Sequence, residues 1–203
     1  MKIGMPVQIA SLSAIPWKNG GGKTRNLAVE PKDADFDHFL WRLSFAEVSA
    51  PGRFSTFPGV DRSILVWSGN GLLLHSKNAE VFALAPEAEA HIFRGEDEIE
   101  ATLLDGPTID FNVMVRRGRC TAVVCRYTGE AMISRRAHHS FFLCAKGGFR
   151  LLFPTKQQCL IHAGESVAVS HLPEGVKVVP CATEASMIVV LINLLETIPL
   201  ATD

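Results

Sequence analysis

Short runs of apolar residues recur along this chain, and most are bounded by glycine, proline, asparagine or aspartate. Strong helix signals are scarce, so the pattern predicts many short strands. The clearest alternation covers residues 109–116. One face of that strand is purely apolar, with Ile109, Phe111, Val113 and Val115. The other face carries Asp110, Asn112, Met114 and Arg116. We expect the first face to join the core and the second to present polar groups.

Residues 39–48 show a second alternation, in which Trp41, Leu43 and Phe45 share one face. We expect that the side chains of Arg42, Ser44 and Glu47 do not lie on this apolar face. The pattern predicts a half-buried strand. A polar group left without a partner in such surroundings costs about 1–3 kcal/mol. Something should therefore satisfy Arg42, and likewise Asn112 in the strand described above.

The remaining runs extend the all-β prediction to both halves of the chain. Further candidate strands cover residues 7–12, 24–30, 63–67, 72–75, 81–84, 92–95, 99–104, 121–127, 140–145, 149–153, 159–162, 166–170, 176–179 and 187–194. The turn Gly69-Asn70-Gly71 predicts a hairpin between 63–67 and 72–75. The simplest architecture is a duplicated small antiparallel β-barrel or jelly roll with a junction near Gly118. We expect an N-terminal unit, 1–118, and a structural C-terminal unit, 119–203.

Composition narrows the functional classes. The chain has 203 residues, of which 47% are hydrophobic and 20% charged, as in a folded globular protein. A net charge of −1 lacks the basic footprint of a nucleic-acid binder. The N-terminus has no apolar signal region, and the run 187–195 is too short to span a bilayer. These features predict a cytoplasmic protein that binds neither nucleic acid nor membrane. They do not decide whether the chain forms a homodimer.

A glycine-rich loop at residues 16–25 carries charge and an aromatic ring. Three consecutive glycines favour positive φ or a close backbone approach to another group. Trp17, Lys18 and Asn19 could offer an apolar platform, positive charge and an amide to a small anionic ligand. The alternative is a long surface turn anchored by Trp17. A phosphate-binding loop is excluded, because Trp17 stands where its first glycine is needed and no helix pattern follows.

Metal and thiol chemistry have little support. No histidine pair has ligand spacing, since His138 and His139 are adjacent and would point to opposite faces of a strand. The five cysteines form no C-x-x-C pair and are expected to be reduced core residues. We therefore predict no metal and no cofactor, and we assign no catalytic residue.

A polar set remains, all of it in the first half of the chain: Lys18, Asn19, Arg42, Ser44, Ser55, Asp61, Arg62, Asp110, Asn112 and Arg116. Its structural interpretation is a set of internal ion pairs, such as Arg42 with Asp110 or Asp61 with Arg62. Its functional interpretation is a ligand site. Buried ion pairs stabilise weakly, which favours the second interpretation.

These residues fall within motifs that resemble the HutD/Ves family. The motifs are Pro16-Trp17-Lys18-Asn19-Gly20-Gly21-Gly22-x-Thr24-Arg25, Trp41-Arg42-x-Ser44-x-Ala46-x-Val48, Phe54-Ser55-x-Phe57-Pro58-Gly59-x-Asp61-Arg62, Phe93-x-Gly95 and Asp110-Phe111-Asn112-x-Met114-x-Arg116. The resemblance implies a cupin-type bicupin, with two β-barrel halves in one chain. It also implies a link to bacterial histidine utilisation, or to cold and stress responses in the Ves branch. The usual cupin histidine ligands are missing from this sequence.

The resemblance and the polar set together predict a metal-free regulatory protein that binds a small anionic metabolite such as formylglutamate or urocanate. Arg42 and Arg62 would hold carboxylate oxygens, Lys18 and Asn19 would close the mouth, and Asn112 would read a formyl or amide group. The expected ligand wall comprises Trp17, Phe57, Phe93 and Met114, and the polar contacts include Ser44, Ser55, Asp61, Asp110 and Arg116. The alternatives are an isomerase or amidohydrolase with Asp61 or Asp110 as base, and a structural partner of another protein.

Overall fold

The fold is built from strands throughout the part of the chain that the structure, a computed structural model, describes: residues 1–17, 20–77 and 80–195. The first twelve strands are β1 (Lys2–Ile3), β2 (Val7–Gln8), β3 (Ala14–Pro16), β4 (Gly22–Glu30), β5 (Trp41–Val48), β6 (Gly52–Arg53), β7 (Val60–Ser68), β8 (Leu72–Ser76), β9 (Val81–Leu84), β10 (His91–Arg94), β11 (Ile99–Leu103) and β12 (Thr108–Arg116). A 3₁₀ turn, Ile9–Ser11, follows β2. The all-β prediction is confirmed.

The second half continues with eight strands: β13 (Cys120–Tyr127), β14 (Ala131–Ile133), β15 (Ala137–Lys146), β16 (Gly148–Leu152), β17 (Gln158–His162), β18 (Glu165–Leu172), β19 (Val176–Pro180) and β20 (Ser186–Leu194). All the pairings are antiparallel and form four sheets. Two sheets come from the first half, in the orders β10-β7-β12-β5-β4-β3 and β6-β11-β8-β9. The other two have the orders β1-β18-β15-β20-β13, with β2 also on β18, and β14-β19-β16-β17.

Most of the core lies in three layers between these four sheets. One cluster joins the two first-half sheets and includes Ile64, Leu72 and Leu84. A second joins the two other sheets and includes Phe142 and Phe149. Between them a third cluster packs the six-stranded sheets against each other. Its members from the first half include Trp41, Leu43, Phe45, Phe111, Val113 and Val115, and those from the second include Phe141, Leu143, Ile188 and Val190.

This third cluster explains the alternation of β5 and β12. Their apolar faces, as predicted, are the buried packing surface. The opposite face of β5 is also largely buried, because Arg42 and Ser44 are buried as well. The half-buried prediction for residues 39–48 is therefore wrong. The polar face lines a cavity.

Two local predictions are also wrong. The Gly69-Asn70-Gly71 turn does not make a hairpin, because β7 pairs with β10 and β12 whereas β8 pairs with β9 and β11. The turn instead carries the chain from one sheet to the other, and both glycines have positive φ. The predicted strand 7–12 ends at Gln8. In addition, β1 and β2 pair with β18, so residues assigned to the 1–118 unit extend a sheet of the second half.

The cysteines are free thiols in varied surroundings. Cys120 and Cys144 are buried, as expected, and burial raises the pKa of the Cys144 thiol to about 11. Cys181 is exposed, so its assignment to the core is wrong. Among the described residues, no helix has the length and apolar character needed to cross a membrane.

Candidate functional site

The polar faces of β4, β5, β12 and β7 together form the floor of a cavity of about 670 Å³. Segments between the strands complete its walls, including residues 34–36 and 53–57. The charged residues that line it are Asp35, Arg42, Arg53, Arg62 and Asp110. The aromatic ones are Trp17, Phe36, Phe54 and Phe57. A concave site with aromatic walls and a few polar groups is the usual form of a small-molecule site.

Strand register places two arginines in one row. Met114 of β12 faces Arg42 on β5 and Arg62 on β7. Directly opposite residues of antiparallel strands have side chains on the same face. Since strands are about 4.8 Å apart, the two arginine backbones lie roughly 10 Å from each other across Met114. Two guanidinium groups therefore enter the cavity from either side of one methionine.

The next rows along the floor are polar and then acidic. Asn112 faces Ser44 on β5, which in turn faces Asn26 on β4. Asp110 follows, opposite Ala46. Asn26 reaches this face just before a register shift in β4. The charge along the floor thus changes from positive, in the row of Arg42 and Arg62, to negative, at Asp110.

Arg42 is held in place by an amide and a ring. Its Nε donates to Asn26 Oδ1 at 3.1 Å, and its Nη2 donates to the same oxygen. The guanidinium carbon lies 4.1 Å from the centre of the Phe36 ring, within the range of a cation–π contact. Burial lowers the pKa of Arg42. No carboxylate pairs with this cation in the described residues, so the predicted Arg42–Asp110 ion pair is wrong.

Arg62 lies in an aromatic box. Its guanidinium carbon is 4.8 Å from the centre of the Phe93 ring, 5.4 Å from that of Phe54 and 5.5 Å from that of Phe57. Its Nη1 donates to the Ser55 carbonyl oxygen at 3.2 Å, whereas its buried Nε has no partner. Burial lowers the pKa of Arg62 to about 10, and Asp110 opposes that change. The buried Nε of this guanidinium is therefore a donor that a ligand could use.

Asp110 is the most unusual group of the site. It is 1% exposed, and neither carboxylate oxygen has a hydrogen-bond partner. Burial raises its pKa to about 7, although the nearby Arg62 charge acts in the opposite direction. Oδ1 of Asn112 is likewise buried without a partner. Native proteins leave few buried polar groups unsatisfied, so three such oxygens on one strand indicate a missing partner.

The glycine loop contributes Trp17 to the cavity wall. Its Nε1 donates to Thr24 Oγ1 at 2.7 Å, and its backbone N–H donates to the Gly22 carbonyl oxygen at 2.9 Å. Gly20 has a φ of 71°, and Gly22 lies against the β5 backbone. The expected close approach thus occurs at Gly22. Lys18 and Asn19, predicted to close the mouth, lie outside the described residues.

We expect Gly22→Ala to destabilise the fold by about 1–3 kcal/mol, as overpacking does. A Cβ there would collide with the Glu47 carbonyl oxygen and lie 3.0 Å from the Trp17 ring. Gly52→Ala is the matched control, because a Cβ at Gly52 meets nothing within 4 Å. Urea unfolding of both variants measures the effect. Equal stability of the two variants would contradict the close approach of Gly22 to the β5 backbone.

Nine of the fourteen predicted site residues line the cavity: Trp17, Arg42, Ser44, Ser55, Phe57, Arg62, Asp110, Asn112 and Met114. Asp61 instead pairs with Arg117 at 2.7 Å, so the predicted Asp61–Arg62 ion pair is wrong. Together with Phe93, Asp61 lines a second cavity of about 470 Å³. Arg116 donates to the Asp37 and Pro58 carbonyl oxygens, outside the main cavity.

Sequence reasoning missed several lining residues, among them Thr24, Asn26, Phe36, Arg53 and Phe54. The motifs contained Thr24 and Phe54, but nothing in the sequence gave them a role in the wall. Nothing in the sequence pointed to Asn26 as a cavity residue, because its position opposite Ser44 depends on the register of β4 with β5. Across the described residues, no group of three or more His, Cys, Asp or Glu side chains could hold a metal ion.

Comparisons with known proteins identify the family of this chain and agree with its fold. The HutD family model matches residues 9–184. The chain belongs to the HutD family. Among its relatives, Protein Ves of Citrobacter koseri is 38% identical over 163 residues, covering 78% of this chain and 83% of that protein. An uncharacterised 21.2 kDa protein from the hutC 3′ region of Pseudomonas putida is 35% identical over 119 residues, covering 59% of this chain and 62% of that protein.

Several solved structures share this fold. A conserved protein of unknown function from Pseudomonas aeruginosa PAO1 matches with a TM-score of 0.83 and 28% identity, over 95% of this chain and all of that one. HutD from Pseudomonas fluorescens SBW25 matches with a TM-score of 0.82 and 23% identity, over 96% of this chain and all of that one. A cupin 2 conserved barrel protein from Leptotrichia buccalis, 8% identical over 95% of this chain and 98% of that one, has a TM-score of 0.58. The fold is therefore cupin-like, and the family name relates the chain to histidine utilisation.

Proposed function

We propose that this protein is a metal-independent regulatory protein that binds a small carboxylate of histidine degradation, such as formylglutamate or urocanate. The observation that carries the proposal is the pair of buried arginines, Arg42 and Arg62, on either side of Met114 in one cavity. Guanidinium groups bind carboxylates through two parallel hydrogen bonds and are the usual choice for this task.

The charge balance of the cavity supports an anionic ligand. Three arginines line it, against the two carboxyl groups of Asp35 and Asp110. Because burial raises the pKa of Asp110 to about 7, part of its negative charge is absent at neutral pH. The walls are therefore net positive, and removal of the ligand from water strengthens the attraction.

The aromatic residues support a ligand with a flat or extended apolar portion. Trp17 lies on one wall, and Phe36, Phe54 and Phe57 lie on others. Aromatic walls hold a small molecule by apolar burial, while the few polar groups set its orientation. A conjugated or short-chain carboxylate fits this combination.

We also infer the finer features of the architecture and setting. The two pairs of sheets would be the halves of a bicupin, joined at residues 117–119 between β12 and β13. The second half would be structural and the protein cytoplasmic. Proteolysis at the junction tests the first inference, because two such halves held by the shared core should stay associated after cleavage. Separation of the fragments would contradict it.

Calorimetry with formylglutamate, urocanate and glutamate tests the proposed function. We expect at least one of the first two to bind, and Arg42→Ala to weaken that binding at least tenfold, since it removes a charged donor. Arg42 already has Asn26 and Phe36 as neighbours that fix its orientation. Unaltered affinity of the Arg42→Ala variant would remove Arg42 from the site.

A second candidate function rests on Asp110 itself. A general base works best with a pKa near the operating pH, and burial brings Asp110 to about 7 within the same cavity. The protein would then be an isomerase or amidohydrolase acting on the same carboxylate. Turnover of a bound candidate, lost in Asp110→Asn, would favour this function. Binding without turnover would favour the regulatory one.

A further inference from the structure

We propose that the ligand of this cavity carries a neutral N–H donor in addition to its carboxylate, and that Asp110 and Asn112 accept hydrogen bonds from that donor. The inference rests on the proposed function and specifies the second functional group of the ligand. It derives from the unpaired acceptors on the cavity floor and not from the arginines.

The acceptors are Oδ1 and Oδ2 of Asp110 and Oδ1 of Asn112. All three are buried, and no described residue donates to them. Asp110 offers an acceptor whichever way the Asn112 amide is turned, because an ionised carboxylate has no donor and a protonated one keeps its carbonyl oxygen as an acceptor. Both residues line the cavity, so a bound molecule can reach the face on which they lie. A buried acceptor without a donor is unfavourable, which a donor on the ligand would correct.

Arg42 and Arg62 do not donate to these acceptors. Arg42 donates twice to Asn26. Arg62 donates to the Ser55 carbonyl oxygen and packs against three aromatic rings, and it makes no direct hydrogen bond with Asp110. No described residue donates to Asp110, and a ligand that enters this cavity can supply the donor.

The floor also sets the spacing of the two ligand groups. Asn112 and Asp110 lie two and four residues before Met114 on β12. At about 3.4 Å per residue, they are roughly 7 and 14 Å along the strand from the arginine row. These are backbone distances, and the Arg62 guanidinium lies close enough to the Asp110 carboxyl for their charges to interact, so a ligand whose carboxylate and N–H are a few bonds apart can contact both groups. A neutral donor suits the site better than an ammonium, because three arginines line the same cavity.

Two matched probes test the inference: 3-(pyrrol-2-yl)acrylate and 3-(furan-2-yl)acrylate. They share the carboxylate, the spacer and the ring size, and they differ in a ring N–H against a ring oxygen. We expect the pyrrole compound to bind wild-type protein at least tenfold more tightly in calorimetry. The furan oxygen would face the acceptors and repel them.

Variants test which residues cause the preference for the pyrrole compound over the furan compound. Asp110→Asn and, independently, Asn112→Ala should reduce the ratio of the two affinities to below threefold. Arg42→Ala should weaken both probes and leave their ratio unchanged, since it acts on the shared carboxylate. Equal binding of the two probes to wild-type protein would overturn the donor inference and leave carboxylate binding intact. Failure of both probes and of formylglutamate and urocanate to bind would overturn the proposed function and the inference with it.

Discussion

The free energy of unfolding should fall as the pH rises from about 4 to 7, and Asp110 should be the cause. Its pKa is raised from 3.8 to about 7 in the folded protein, chiefly by burial. Between these values the folded state binds a proton that the unfolded state has lost, so rising pH favours unfolding. The stability contribution is complete below about pH 4 and is lost by the time the pH has passed 7. At about 1.4 kcal/mol per pKa unit, the loss is on the order of 4 kcal/mol.

Asp110→Asn should remove this slope, because the amide keeps the shape of the protonated carboxyl group. We expect the variant to match wild-type protein near pH 4 and to be more stable by a few kcal/mol at pH 8. Burial lowers the pKa values of His91 and His139, which act in the opposite direction, so the difference between the two proteins isolates Asp110. Urea unfolding at several pH values measures it.

Asp33→Asn is the matched control for this experiment. Asp33 is exposed and has a φ of 64°, a conformation that asparagine also tolerates. The free energy of unfolding of the Asp33→Asn protein should change with pH as it does in wild-type protein. If Asp110→Asn keeps that dependence as well, burial does not raise the pKa of Asp110 to about 7 in the folded protein.

Replacement of Arg62 should give the largest loss of ligand affinity. Arg62→Met keeps the length and apolar contacts of the side chain within the aromatic box but removes every guanidinium donor. Hydrogen bonds to charged groups contribute about 1.5–3 kcal/mol, so affinity for a bound carboxylate should fall roughly 10- to 150-fold. Arg62→Lys should restore only part of it, since an ammonium cannot make the paired contact.

Arg126→Met shows whether the loss of any buried arginine lowers ligand affinity, or only the loss of one in the cavity. Arg126 also has a buried side chain, but it donates to the Val66 and Ala88 carbonyl oxygens and to Ser186 Oγ, outside the cavity. We expect this control to lose stability and to keep wild-type affinity in calorimetry. Equal affinities of Arg62→Met and wild-type protein would exclude Arg62 from ligand binding.

The sequence predicted the floor of the cavity better than its walls. Alternation alone placed Asp110, Asn112 and Met114 on one face of β12, because strand geometry fixes that relation locally. It also marked Arg42 as a polar residue in apolar surroundings. What alternation did not reveal is the second buried face of β5, since the sequence does not show that a cavity covers it.

Contacts that depend on strand pairing could not be predicted from the sequence. Asn26 meets Arg42 only because β4 shifts register beside β5. Asp61 is next to Arg62 in the chain, yet alternation sends it to the opposite face, where Arg117 binds it. The Gly69-Asn70-Gly71 turn likewise has hairpin composition but joins two sheets, because a turn sequence does not specify the partners of its flanking strands.

The position of a bound carboxylate tests the central claim most directly. A crystal structure of the protein with formylglutamate or urocanate, whichever binds more tightly in calorimetry, supplies that position. We predict the ligand carboxylate between the guanidinium groups of Arg42 and Arg62, above Met114, with the rest of the molecule extending along β12 toward Asn112 and Asp110. A ligand bound in the second cavity, beside Asp61 and Phe93, or a carboxylate that contacts neither arginine, would contradict this account.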